Sequence, residues 1–262
     1  VKVDGQAVND WRIEDGKLVI PLTGSAATVE TEVETVPEQN TQLMGLYASG
    51  GLLCTQCEAE GFRRVTFFPD RPDVLSRYAV RMVADKAAYP VLLSNGDNTG
   101  AGDADGGRHW AEWRDPHPKP CYLFALVAGD LSVNADSFTT IGGRIVSLGI
   151  WVRAEDVAKT AHAMAALKAS MAWDEAVYGR EYDLDVFNIV AVDDFNFGAM
   201  ENKGHLPRLV PIVVEGRLHR LSRPELHGRS GVGSGQADRG CARAPRQPVP
   251  RGFGAARAFH PA

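Results

Sequence analysis

The sequence predicts an α+β fold: a mostly β N-terminal part spanning residues 1–130, then a segment in which strand, helix and strand follow one another. Three observations carry this. Short apolar–polar alternations separated by turn signals fill the first part. A single stretch, Ala154 to Tyr178, repeats its apolar residues at helical spacing. Val186 to Val192 is an apolar run of strand length, suited to a buried strand.

The alternation begins at once. Trp11-Arg12-Ile13, Lys17 to Leu22 and Thr28 to Val36 each alternate, and Asp15-Gly16 is a turn signal between the first two, so residues 1–36 read as short antiparallel strands. Val65 to Phe68, Tyr78 to Val83 and Cys121 to Ala128 are further strand candidates between Pro- and Gly-bearing turns. Asn95 to Gly107 reads as a hairpin loop by composition. Its Asp spacing resembles a calcium loop, but the bidentate acid such a loop needs is missing, and a solvated turn is the better reading. A boundary falls near Gly129-Asp130. Beyond it Ser137 to Val152 reads as two strands about Gly142-Gly143. In the helical stretch Val157, Ala161, Met164, Leu167 and Met171 share one face, and Gly179 suits a C-terminal cap.

Composition adds bounds. The chain has 262 residues, 44% of them hydrophobic, enough for a real core. No run of eighteen apolar residues is present, so no membrane span is predicted. The start, Val1-Lys2-Val3-Asp4-Gly5, has no initiator Met and no signal-like region, which reads as a cut from a longer chain. Four scattered cysteines favour a reducing compartment, and the cytoplasm is the expected location. The net charge of −5 conceals a split. Residues 1–204 hold 18 Lys and Arg against 30 Asp and Glu, whereas residues 205–262 hold 10 Arg against 3 acids. The last 58 residues contain no Lys, Asn, Thr, Met, Tyr or Trp, and 15 of them are Gly or Pro.

Two stretches can carry chemistry. Asp193-Asp194-Phe195-Asn196-Phe197-Gly198-Ala199-Met200-Glu201-Asn202-Lys203-Gly204 closes the apolar run and sets one carboxylate, Glu201, among small residues whose backbone a ligand can approach. A strand edge pairs with a peptide's main chain, and a carboxylate at its end holds a terminal ammonium. A plain strand followed by a polar turn fits the same residues. The other stretch is Cys54-Thr55-Gln56-Cys57-Glu58-Ala59-Glu60-Gly61. Its Cys-x-x-Cys lacks the second ligand pair or His cluster of a structural zinc site, so neither metal nor redox use is assigned to it.

Gly198-Ala199-Met200-Glu201-Asn202 resembles the exopeptidase motif of the M1 zinc aminopeptidases. The resemblance runs collinearly over most of residues 40–204, through Gly45-Leu46-Tyr47, Cys54 to Gly61, Phe62 to Thr66, Asp70 to Leu75, Tyr89 to Gly96, Lys119 to Asp130 and Met171 to Glu175. It implies a saddle- or sandwich-like β domain over 1–130 and the start of a thermolysin-like α/β catalytic domain over 131–204. It also implies a metalloaminopeptidase of the alanyl type, acting in peptide catabolism as a monomer on peptides with a free α-amino group. By the same resemblance Gln56 is a pocket wall, Glu58 and Glu201 hold the α-amino group, Gly198 and Ala199 offer backbone groups to the substrate, and Met200 and Asn202 shape and support that segment. Two converging carboxylates favour a protonated amine, because a capped peptide would leave them buried and unpaired. Read without the resemblance, Glu58 and Glu201 sit on separate solvated surfaces.

The zinc that the family uses has no ligands here. Two His one turn apart with an intervening Glu would be required. Of His205, His219, His227 and His260, no two are four apart and none precedes a Glu. Residues 205–262 hold no Tyr either, so the family's later tyrosine has no counterpart. The chain by itself is therefore expected to be inactive. The tail reads as disordered or as the product of a frame shift in a GC-rich gene, the latter preferred on composition. The remaining readings are a non-enzymatic module that binds peptide N-termini, and a nucleic-acid binder working through the basic tail. The second has only charge behind it, since Phe253 and Phe259 are the tail's only aromatic residues.

Overall fold

Alternation in the first thirty residues yields only scraps of sheet. In chain order these are β1 (Lys2–Val3), β2 (Gln6–Ala7), β3 (Arg12–Glu14), β4 (Lys17–Val19) and β5 (Val29–Glu30). β1 lies between β2 and β5, and β3 pairs with β4 across Asp15-Gly16. Both turn residues have positive φ, as a tight two-residue hairpin turn requires. The strand expected over Thr28 to Val36 shortens to Val29–Glu30. Val29, Val33 and Val36 all remain exposed, so no buried face rewards a longer pairing. The computed structural model describes residues 1–202 and one strand at 213–215; the expectations for the rest of the 205–262 tail lie outside the described residues.

The main β part uses β6 (Gly45–Ser49), β7 (Leu52–Gln56), β8 (Ser76–Asp85), β9 (Val91–Ser94), β10 (Asp97–Ala104), β11 (Arg108–Lys119) and β12 (Leu126–Gly129). They form two sheets, β6-β7-β12-β9 and β10-β11-β8, with every pairing antiparallel. Three local expectations change. Val65 to Phe68 is no strand: Phe62–Arg64 turns as a 3₁₀ helix, and Phe68 packs edge-on to Phe62 with ring centroids 5.1 Å apart. Cys121 to Ala128 splits into a 3₁₀ turn and β12, because the Asn95 side chain accepts from Ala125 N and donates to Leu123 O, taking up the backbone groups a longer strand would pair. Asn95 to Gly107 is half strand: β10 occupies most of it, leaving the turn to residues 105–107. The reason is cross-strand packing. Trp110 of β11 lies so close over Gly100 and Gly102 that an added Cβ would come within 3.1 Å of its ring. The glycines that suggested a loop are the floor under a tryptophan.

β12 ends at Gly129 in one sheet, and the next strand belongs to another. β13 (Ser132–Thr139), β14 (Ile145–Val152), β15 (Val186–Val192) and β16 (Val213–Glu215) form a four-stranded sheet in that order. β13 and β14 are antiparallel, while β14–β15 and β15–β16 are parallel, with helix α1 (Ala161–Tyr178) as the β14–β15 crossover. The expected single helix from Ala154 is broken. Ala154–Lys159 is 3₁₀, and at the break buried Thr160 donates to Val157 O and accepts from Asn134 Nδ2. Of the predicted face Met164, Leu167 and Met171 are buried, whereas Ala161 at the first turn is exposed and Val157 lies in the 3₁₀ segment; Gly179 caps the end at φ 61° with its N–H on Glu175 O.

β15 is apolar because both its faces are covered. Phe187 packs into the α1 core, while Val190 and Val192 join the core of the main β part, together with Phe195 and Met200. No described helix is long and apolar enough to cross a membrane.

The three described cysteines, Cys54, Cys57 and Cys121, are buried and unbridged, and Cys121 donates its thiol proton to Asp70 Oδ1. Burial pushes the Cys54 thiol up to about 11 and Cys121 up to about 12, and raises Cys57 as well. In the folded protein these thiols should resist an aromatic disulfide reagent at pH 8, and should react as urea unfolds the chain; modification mapped by mass spectrometry checks this. Fast labelling of Cys57 without denaturant would contradict the burial. Since the folded pKa values are raised, the stability these thiols contribute is complete below their ordinary value and is lost as pH climbs above it.

Candidate functional site

β7 delivers Gln56. In the β6–β7 register it lies opposite Gly45, and its side chain is 0% exposed. After it the chain turns sharply: Gly61 N–H donates to Cys57 O at 2.8 Å, and a Cβ on Gly61 would meet Gln56 O at 2.4 Å. Glycine is needed there by close approach. Glu58, half-buried, sits inside this turn.

The segment after β15 lies against the same strands. At its start Asp193 pairs with Arg153, while Asp194 accepts from Ser49 Oγ through Oδ2 and from the Tyr47 hydroxyl through its carbonyl, both at 3.0 Å. Asp194 N–H in turn donates to Ser49 Oγ at 2.9 Å. Burial, with Cys54 and Asp194 alongside, raises the Tyr47 pKa, so its hydroxyl keeps the proton it donates. Phe195 is buried, and Asn196 donates to the carbonyls of Gln42 and Leu43. At the far end Met200 is 0% exposed and Asn202 is buried, its carbonyl accepting from Asn95 Nδ2. Between these anchors Phe197, Gly198, Ala199 and Glu201 face solvent.

The two predicted stretches therefore meet. Gln56 Nε2 donates to Met200 Sδ at 3.8 Å and to Glu58 O at 3.5 Å. Glu58 lies two residues beyond one side of this contact, and Glu201 next to the other. Neither carboxylate has a hydrogen-bond or ion-pair partner among the described residues. Gly198 has open space where a Cβ would stand, so its backbone is accessible to an extended ligand. The Met200 thioether lies against Gln56, whose Oε1 is buried without a partner among the described residues. Asn202 is similar, both atoms of its carboxamide being buried without a partner among the described residues.

The residues that position the segment, Tyr47, Ser49, Asn95 and Arg153, were not singled out from sequence. Tyr47 and Asn95 lie inside strings that resemble the family, yet nothing local marks them, since their partners are 147 and 107 positions away. Among the described residues no group of three or more His, Cys, Asp or Glu is arranged to hold a metal ion. With no His-Glu-x-x-His in the sequence either, the residues present do not fit the family's zinc, and no step here is assigned to it.

Comparison with known proteins decides the family. Residues 4–123 match the peptidase M1 N-terminal domain. Aminopeptidase N of Caulobacter vibrioides is 57% identical over 206 residues, 78% of this chain and 24% of that protein. The chain belongs to the M1 peptidase family. Aminopeptidase N of Escherichia coli is 52% identical over 204 residues, covering 78% of this M1 chain and 23% of its own length. In structure, Legionella pneumophila aminopeptidase A, solved in complex with aspartic acid, superposes with a TM-score of 0.66 at 31% identity, over 77% of this chain and 24% of that one. The M1 chain described here thus spans about a quarter of the length of the relatives it matches.

Proposed function

We propose that this chain is the N-terminal portion of a zinc-dependent aminopeptidase that removes N-terminal residues from peptides, and that its own part in that work is to hold the substrate's free α-amino group. The observation that carries the reading is the Gln56–Met200 contact, which joins the stretches bearing Glu58 and Glu201, two carboxylates without a partner among the described residues. An ammonium between two carboxylates gains charge-assisted hydrogen bonds that an acylated amine loses. The open backbone at Gly198 and Ala199 would take the peptide main chain in extended form, and buried Met200 and Asn202 would fix the height of that segment. Residues 131–204 would begin the thermolysin-like catalytic domain, and the Lewis-acid chemistry of the family's zinc would depend on ligands that this sequence does not contain. The residues beyond Gly204 would be a frame-shifted replacement for the remainder, and the cytoplasm the site of action.

The test uses peptides without a C-terminal carboxylate. Ala-Ala-amide should bind the full chain, and N-acetyl-Ala-Ala-amide should not, in titration calorimetry. Glu201→Gln and Glu58→Gln should each weaken binding by about fivefold, a modest figure because Glu201 is exposed to solvent screening. Equal binding of the acetylated peptide would sink the ammonium reading.

A further inference from the structure

Beside this segment lies a polar pocket of about 290 Å³, lined by Val36, Gln39, Asn40, Thr41, Gln42 and Arg64. Its wall is built, not incidental. Pro37–Gln39 turns as a 3₁₀ helix, and Asn40 uses its whole side chain to shape residues 42–46: Oδ1 accepts from Gln42 N, while Nδ2 donates to the carbonyls of Met44 and Leu46. Leu43 is held at φ 52°, a conformation side chains other than glycine adopt at a cost, and Asn196 fastens the carbonyls of Gln42 and Leu43 from the motif side. The opposite wall is equally close, since an added Cβ on Gly45 would meet Arg64 Cβ at 2.7 Å.

The side chains left over are donors. Arg64, Gln39, Thr41 and Gln42 make no side-chain hydrogen bond or ion pair among the described residues. Among the described residues no carboxylate lines the pocket. Arg63, the next residue, shows the contrast, because Asp70 and Glu60 already hold its guanidinium. A guanidinium offers its N–H groups in a planar fork that matches two oxygens of one anion, and neutral carboxamides and a hydroxyl can supply the remaining bonds. The volume suits a ligand of a few heavy atoms.

We propose that Arg64 and the Val36–Gln42 loop form an anion site that takes the carboxylate of a small ligand, separate from the ammonium anchor. Because Arg64 is exposed, the site is weak, with a Kd of about 1–10 mM. N-acetyl-Ala-Ala, which has a carboxylate and no ammonium, is the probe, and its C-terminal amide is the control. On the full ¹⁵N-labelled chain the acid should shift the amides of residues 39–42 and 64, and the amide should not. Ala-Ala-amide, the probe of the ammonium site, should not compete, so the two readings stand or fall separately. Arg64→Gln should weaken binding of the acid at least fivefold, and Arg64→Lys, keeping the charge but not the fork, should weaken it less. Equal shifts from acid and amide, or binding unchanged in Arg64→Gln, would overturn the proposal. Inorganic phosphate displacing N-acetyl-Ala-Ala at lower concentration than the acid itself binds would overturn the carboxylate assignment.

Discussion

Asp115→Ala is expected to destabilise the folded chain by about 3–5 kcal/mol, the usual cost of removing one partner of a buried ion pair. Asp115 and Lys119 are 0% and 1% exposed in their side chains and lie 2.9 Å apart on β11. The substitution leaves an ammonium inside the protein, against the Tyr78 ring 4.1 Å away, without this carboxylate. Asp115 also accepts from His117 N, so the end of β11 loses a backbone partner as well. The measurement is a urea midpoint on the single variant and on Asp115→Leu/Lys119→Met. The double variant should be far milder, because it removes both charges together and fills the space with apolar atoms. A single variant within 1 kcal/mol of the parent would show that Lys119 does not depend on this carboxylate.

Gly61→Ala should combine a stability loss of roughly 3 kcal/mol with weakening of the proposed ammonium binding. An alanine methyl would meet Gln56 O at 2.4 Å, Cys57 Cα at 2.9 Å and Gly45 N at 3.1 Å, all backbone atoms that move only with their strands. Relief must come from shifting the Gln56–Gly61 turn, which carries Glu58, away from Met200. Binding of Ala-Ala-amide should therefore fall by up to about fivefold, the effect of Glu58→Gln, at temperatures where circular dichroism still shows native sheet. Gly106→Ala is the comparison: φ is 72° there, but nothing lies within 4 Å of the added carbon, so only the local strain of a hairpin turn is incurred and binding should be unchanged. A Gly61→Ala chain with full affinity would separate the turn from the site.

How far the sequence could be read depended on whether a signal was local. Met164, Leu167 and Met171 of the α1 face, the Gly179 cap, the Asp15-Gly16 turn and the β13–β14 hairpin were legible, since periodicity and turn chemistry are written within a few residues of where they act. Asn95 to Gly107 misled for the same reason: glycine says that no side chain is present, and only the tryptophan across the strand says why. Gln56, Glu58, Met200 and Glu201 could be named because they fall in motifs that resemble a family, but no feature of either stretch told that Gln56 would end buried under Met200.

By itself the sequence determined the β-then-strand–helix–strand order, the membership that its motifs suggested, the absence of His-Glu-x-x-His and the compositional break after Gly204. Tertiary structure alone decided what holds the segment after β15 in place: Tyr47 and Ser49 on Asp194, Asn95 on Asn202, and Gln42 and Leu43 under Asn196. The physical reason is that hydrophobic patterning records which face of an element is buried and not what lies against it. These partners are more than a hundred residues apart, so folding must first bring β6 and β7 beneath the end of β15 before any of those hydrogen bonds exists.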